Sequence, residues 1–125
     1  MKRFCLSFAA FAAILALIGS CYYHNEEDLY PESASCDTLN VTFSGKIVPL
    51  LANNCLTCHS NANAPTFANG IRLEDYDDVK IMATAISGAI NHSASHLPMP
   101  KDRPKLKACL ITQFDIWVRI GTPDN

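Results

Sequence analysis

The stretch Cys55-Leu56-Thr57-Cys58-His59 decides how the rest of this 125-residue sequence is interpreted. Its two cysteines and its histidine stand at positions i, i+3 and i+4. Side chains at these spacings lie on the same face of an α-helix. One helical turn would therefore present two thiols and an imidazole together.

Two thiols followed by an imidazole in this way form the Cys-x-x-Cys-His pattern of covalent haem attachment. Cys55 and Cys58 can reach the two vinyl groups of a haem while His59 binds the iron. We therefore predict one covalently bound haem c. Two alternatives are a dithiol redox pair, which is typical of a βαβ setting, and half of a zinc site, which needs further ligands.

A second protein ligand to the iron is expected if the haem transfers electrons. Met99 is the first candidate, because Pro98 and Pro100 restrict the backbone on both sides of it. A methionine opposite a histidine also raises the reduction potential. His96 and His92 are alternative ligands, and an open sixth position would favour substrate or gas chemistry instead.

Hydrophobic periodicity predicts an all-α domain. Helices are expected over residues 42–54, 75–90 and 106–120, with loops over residues 60–73 and 91–105. Ser44 is expected to cap the first helix, and Pro49 to mark its start or a bend. Met82 lies on the apolar stripe of the second helix and is expected in the core. Gly121 and Pro123 should end the third helix.

The first twenty residues have the layout of a secretory signal. Lys2 and Arg3 precede an apolar run from Phe4 to Ile18, which is shorter than the roughly 20 residues of a membrane-spanning helix. Ile18-Gly19-Ser20-Cys21 then resembles the bacterial lipobox, which predicts cleavage before Cys21 and lipidation of that cysteine. The alternative is an ordinary secretory signal that ends beside a cysteine.

These features divide the chain into a signal peptide (residues 1–20), a lipidated flexible tether (21–35) and a folded domain (36–125). Cleavage removes two of the 10 basic residues and none of the 12 acidic ones, so the net charge changes from −2 to 8 − 12 = −4. This balance makes nucleic acid a poor candidate partner.

Cys36 and Cys109 remain once the other four cysteines have been assigned, since Cys5 leaves with the signal peptide. Export would place the domain in an oxidising compartment, where a disulfide persists. We therefore predict a disulfide between Cys36 and Cys109, with two free buried thiols as the alternative. On the chain-entropy model, such a bond stabilises by up to about 4 kcal/mol.

Further segments carry a resemblance to a known family: Cys36-Asp37-Thr38, Ile47-Val48-Pro49-Leu50-Leu51, Pro98-Met99-Pro100 and the stretch from Trp117 to Pro123. With the haem motif, they make residues 36–125 resemble class I c-type cytochromes, and more narrowly the small single-haem lipoproteins of Bacteroidetes-type bacteria. The resemblance implies three main helices wrapped around one haem, with the first and last crossing near it at Trp117. Lys107-Ala108 departs from the family, in which a capping Ser or Thr is expected before Cys109.

We expect a membrane-anchored cytochrome that transfers electrons between redox partner proteins in the cell envelope, on the periplasmic side or at the cell surface. No catalytic residues are expected, because the histidines lack a nucleophile–base arrangement. The alternatives are a haem enzyme, a gas or redox sensor with a labile sixth ligand, and a haem subunit of a larger complex.

Overall fold

The computed structural model describes residues 36–125. The predicted signal peptide, Cys21 and the tether lie outside the described residues. The helical segments are a π-helical turn (Phe43–Ile47), α1 (Val48–Asn54), α2 (Leu56–His59), α3 (Ala64–Phe67), α4 (Tyr76–Ile90) and α5 (Ala108–Arg119). Residues 36–125 contain no β-strand, in agreement with the all-α prediction. None of the helices named here has the length and apolar character needed to cross a bilayer.

The three predicted helices are present, with shifted ends. The π-helical turn and α1 together cover the first, α4 covers the second, and α5 lies inside the third. The prediction of a loop over residues 60–73 was partly wrong, because α3 lies within it. Pro65 occupies the first turn of α3, where its missing N–H group needs no helical partner.

Thr42, not Ser44, caps the first helical segment. The Thr42 hydroxyl accepts a hydrogen bond from the Gly45 N–H group at 3.1 Å. Ser44 instead donates both its N–H and its hydroxyl group to the carbonyl oxygen of Asn125, each at 2.9 Å. The prediction failed because helical structure begins one residue before Ser44. Pro49 lies in the first turn of α1, as expected.

A single apolar cluster joins the first helical segments to α4 and α5, and Trp117 lies at its centre. The Trp117 ring is fully buried, and its centroid lies 5.5 Å from that of Phe43 and 5.6 Å from that of Phe114. Its indole N–H group donates to the carbonyl oxygen of Pro123 at 2.9 Å, which satisfies the polar atom of a buried ring. The first and last helical segments therefore pack together through Trp117, as predicted.

The C-terminus of α5 is closed by a Schellman motif. The Thr122 N–H group donates to the carbonyl oxygen of Trp117 at 3.0 Å, and the Gly121 N–H group donates to that of Val118 at 3.1 Å. This motif needs a left-handed residue, and Gly121 supplies it with φ of +94°. The prediction that Gly121 ends the last helix is confirmed.

The N-terminus of α5 is fixed by a covalent bond. The helix begins at Ala108 without a side-chain N-cap. Cys109, in its first turn, forms the predicted disulfide with Cys36, with 5.5 Å between their Cα atoms, a common separation for a disulfide. The disulfide therefore holds a helix end that lacks the expected capping Ser or Thr.

We expect the double variant Cys36→Ala/Cys109→Ala to lose up to about 4 kcal/mol of unfolding free energy, since the bond joins residues 73 positions apart. Urea unfolding followed by circular dichroism measures the change. Wild-type protein treated with a thiol reductant serves as the control and should unfold like the variant. An unfolding midpoint equal to that of the oxidised wild type would contradict the role assigned to this bond.

Candidate functional site

The two cysteines and the histidine of the motif lie on one turn of helix. The N–H groups of Cys58 and His59 both donate to the carbonyl oxygen of Cys55, at 3.1 and 2.9 Å. Cys55 itself, with φ of −120°, separates α1 from α2, but its N–H group still donates to the carbonyl oxygen of Leu51 at 2.8 Å. The sequence spacing therefore produces the predicted turn.

The His59 ring is held by the loop that precedes α4. Its Nδ1 atom lies 2.9 Å from the carbonyl oxygen of Ile71. A carbonyl oxygen only accepts hydrogen bonds, so Nδ1 carries a proton in this contact, and in the neutral imidazole the lone pair then lies on Nε2. The Leu73 N–H group also donates to the carbonyl oxygen of His59 at 2.9 Å, and the Leu73 side chain is buried. The backbone of His59 and its ring are thus fixed by one short loop.

Metal-binding histidines are commonly held in this way. The ring nitrogen that does not bind the metal donates to a carbonyl or carboxylate, which sets the tautomer and the orientation of the ring. His59 meets that requirement through Ile71, which leaves Nε2 as the ring nitrogen that could bind a metal.

The two thiols of the motif differ in environment. Cys58 is exposed, whereas Cys55 is half-buried and packs against the core. Burial raises the pKa of the Cys55 thiol to about 11. Dithiols that exchange disulfides have at least one thiol with a lowered pKa. Cys55 is not such a thiol, because its pKa is raised.

The zinc alternative is also weakened by the arrangement of side chains. Across residues 36–125, no three His, Cys, Asp or Glu side chains are grouped so that they could hold a metal ion. Cys36 and Cys109 are joined in a disulfide and supply no thiolate. Within residues 36–125, the motif turn therefore has no further protein ligands of the kind that a structural zinc site needs.

A cavity of about 280 Å³ borders the loop that holds His59. It is lined by residues 69–72 of that loop and by Asp78, Ile81 and Met82 of α4. This volume is just below the roughly 300–1,000 Å³ of preformed ligand pockets. Met82 lines the cavity and is half-buried, so the prediction that it belongs to the core holds only in part.

Large apolar side chains remain uncovered on several segments. Phe67 of α3 is 68% exposed, Ile81 of α4 is 80% exposed and Leu97 of the following loop is 79% exposed. Ile71, whose carbonyl oxygen holds His59, is exposed as well. Ile71 contacts His59 and shares a cavity with Ile81, so these two side chains would be available to an apolar macrocycle attached to the 55–59 turn. These residues and the free Nε2 atom of His59 fit a haem.

Met99, the predicted sixth ligand, lies in a separate loop and is half-buried. Its N–H group donates to the carbonyl oxygen of Ala89 at 3.0 Å. Its carbonyl oxygen lies 3.0 Å from Nε2 of His92. The loop is thus attached to the C-terminal turn of α4. Met99 does not line the cavity between residues 69–72 and α4.

The alternative histidine ligands have other contacts. Nε2 of His92 is engaged with the Met99 backbone. Nδ1 of His96 lies 3.1 Å from the hydroxyl of Ser93 and 3.0 Å from that of Ser95. The His96 ring lies directly against Gly88 of α4, where a Cβ atom would come within 2.5 Å of it.

Comparisons with protein-family models, with curated proteins and with solved structures found no match to this chain. The site is therefore interpreted from its own geometry.

Two residues important to the site were not predicted from the sequence: Ile71, which holds His59, and His92, which contacts Met99. Ile71 acts through its backbone carbonyl, a group that every residue possesses. The residue type at position 71 therefore could not indicate this contact. His92 was expected from the sequence as a polar loop residue or an alternative iron ligand, not as a partner of the Met99 backbone. Its position just after the expected end of α4 could have indicated a helix-capping role, because the residue after a helix often has the left-handed backbone conformation.

The difference between the two thiols predicts different alkylation rates in haem-free protein. Relative to the reference pKa of 9.0, a pKa of about 11 lowers the thiolate fraction of Cys55 about 100-fold at neutral pH. We therefore expect iodoacetamide to modify Cys58 first, and the rate at Cys55 to rise about tenfold per pH unit up to about pH 11. Peptide mass spectrometry after short exposures measures both rates. Equal rates at pH 7 would contradict this prediction.

Proposed function

We propose that this chain is a membrane-anchored c-type cytochrome that carries one covalently attached haem c and transfers electrons. The observation that carries the proposal is the hydrogen bond from Nδ1 of His59 to the carbonyl oxygen of Ile71, on the same turn that presents Cys55 and Cys58. A histidine fixed in this tautomer beside two free thiols has the properties needed to ligate a tethered haem iron.

Residues 55–59 and Met99 would hold the haem. Cys55 and Cys58 would form the thioether bonds and His59 would bind the iron from one side. Met99 is proposed as the opposite ligand, because its thioether favours a higher reduction potential. Haem supplies a one-electron iron couple when bound, and the surrounding apolar side chains would limit access of water to it.

Partner proteins are proposed to be redox proteins of the cell envelope. The loop that follows Met99 carries three exposed cations, Lys101, Arg103 and Lys105, against one exposed acid, Asp102, although the mature chain is expected to be acidic overall. Such a local basic surface attracts and orients an acidic partner. Attachment at Cys21 would keep the domain near membrane-bound partners.

Haem attachment is tested by expressing the full chain in a host competent in cytochrome maturation. The intact mass should increase by that of one haem with no loss of atoms, because each S–H group adds across a vinyl group. The variant Cys55→Ala/Cys58→Ala should lose the covalent haem. Protein that carries no porphyrin mass and retains two titratable thiols at these positions would overturn the proposal.

The sixth ligand is tested on the same preparation by absorbance spectroscopy. We expect the oxidised protein to show the weak long-wavelength band of sulfur–iron ligation. Met99→Ala should abolish this band and lower the reduction potential while leaving the covalent haem in place. Met82→Ala is the matched control, since Met82 is also half-buried, and it should retain the band. A high-spin wild-type spectrum that Met99→Ala leaves unchanged would favour an enzyme or sensor with an open sixth position.

The lipid anchor is tested at Cys21. The wild-type protein should separate with membranes and incorporate labelled fatty acid. Cys21→Ser should remain soluble without the label, because lipid attachment supplies the membrane affinity. Release of the wild-type chain as a soluble, unlipidated protein would leave the ordinary secretory signal as the correct interpretation of residues 1–20.

A further inference from the structure

The C-terminus of α4 has the same hydrogen-bond pattern as that of α5. The His92 N–H group donates to the carbonyl oxygen of Ala89 at 3.2 Å, and the Ser93 N–H group donates to that of Gly88 at 3.0 Å. These are the two bonds of a Schellman motif. The residue at the centre of the motif must have the left-handed backbone conformation. Here that residue is His92, with φ of +58°.

The two helix ends differ in the residue that occupies this position. In α5 it is Gly121, for which positive φ carries no steric penalty. In α4 it is His92, whose Cβ atom makes the same conformation unfavourable. A residue other than glycine in this conformation raises the question of what its side chain contacts.

The His92 side chain reaches the proposed iron ligand. Its Nε2 atom donates to the carbonyl oxygen of Met99 at 3.0 Å, while the Met99 N–H group donates to the carbonyl oxygen of Ala89 at 3.0 Å. Both polar backbone groups of Met99 are therefore bound at the C-terminal end of α4, one by Ala89 in its last turn and the other by His92 just beyond it. Lys105 adds a third link to this turn, through its ammonium group and the carbonyl oxygen of Asn91 at 2.9 Å.

We propose that His92 is a positioning residue that fixes the backbone of Met99 for iron ligation. This inference rests on the proposed function, in which Met99 is the sixth ligand. In this proposal, an external ligand that replaces Met99 on the iron moves the Met99 loop away from α4. The hydrogen bond from His92 opposes that displacement and keeps the thioether in place.

The variant His92→Gly separates this role from a structural one. Glycine is the preferred residue for the Schellman motif, so the fold should be retained and thermal stability should not fall. The donor to Met99 is lost, however. We expect cyanide to bind the oxidised haem protein about tenfold more tightly, the fold-change that corresponds to one neutral hydrogen bond.

Two further variants make the comparison specific. His92→Gln restores an N–H donor at a similar reach from the backbone, and its cyanide affinity should return towards that of the wild type. His96→Ala removes another imidazole from the same loop, one that contacts Ser93 and Ser95 instead of Met99. It should retain the wild-type affinity, and an equal gain in affinity in both variants would overturn the specific role of His92.

Hydrogen exchange of the Met99 amide gives a second readout that does not depend on ligand binding to iron. His92→Gly should speed its exchange about tenfold, because the loop opens more often when one of its bonds is lost. If the wild type has sulfur–iron ligation and His92→Gly matches it in both exchange rate and cyanide affinity, this inference fails alone. A wild type without sulfur–iron ligation would instead overturn the role of Met99 in the proposed function, and this inference with it.

Discussion

The candidate site depends on two hydrogen bonds between His59 and the loop before α4. One joins the His59 ring to the carbonyl oxygen of Ile71, and the other joins the Leu73 N–H group to the carbonyl oxygen of His59. Together they fix the ring's tautomer, its direction and the position of the turn that carries both free thiols. Because Leu73 is buried, the core holds this loop in place, and the loop in turn holds the histidine.

The first and last segments of the described domain are joined by a ring contact, a disulfide and a hydrogen bond. Trp117 packs against Phe43, the Cys36–Cys109 disulfide fixes the start of α5, and Asn125 bonds to Ser44. These contacts connect the first and last segments directly. The large apolar side chains left uncovered are mainly on α3, on α4 and in the adjoining loops.

His59 and His92 are used in related ways. Each ring donates a hydrogen bond to a backbone carbonyl oxygen, that of Ile71 in one case and that of Met99 in the other. In the first case the bond orients the proposed iron ligand itself, and in the second it positions the residue that carries the opposite ligand. Hydrogen bonds to fixed backbone groups give such control because the backbone of a packed helix or loop moves little.

The sequence by itself determined the all-α class, the approximate helices, the thiol–imidazole turn and the disulfide pairing. Each follows from local spacing or from the small number of unassigned cysteines. Only the tertiary structure decided that Thr42 caps the first helical segment, that Ile71 holds His59 and that His92 holds Met99. Those contacts join backbone groups to residues brought close by folding, and because every residue carries the same backbone groups, no pattern of side chains in the sequence distinguishes the partner.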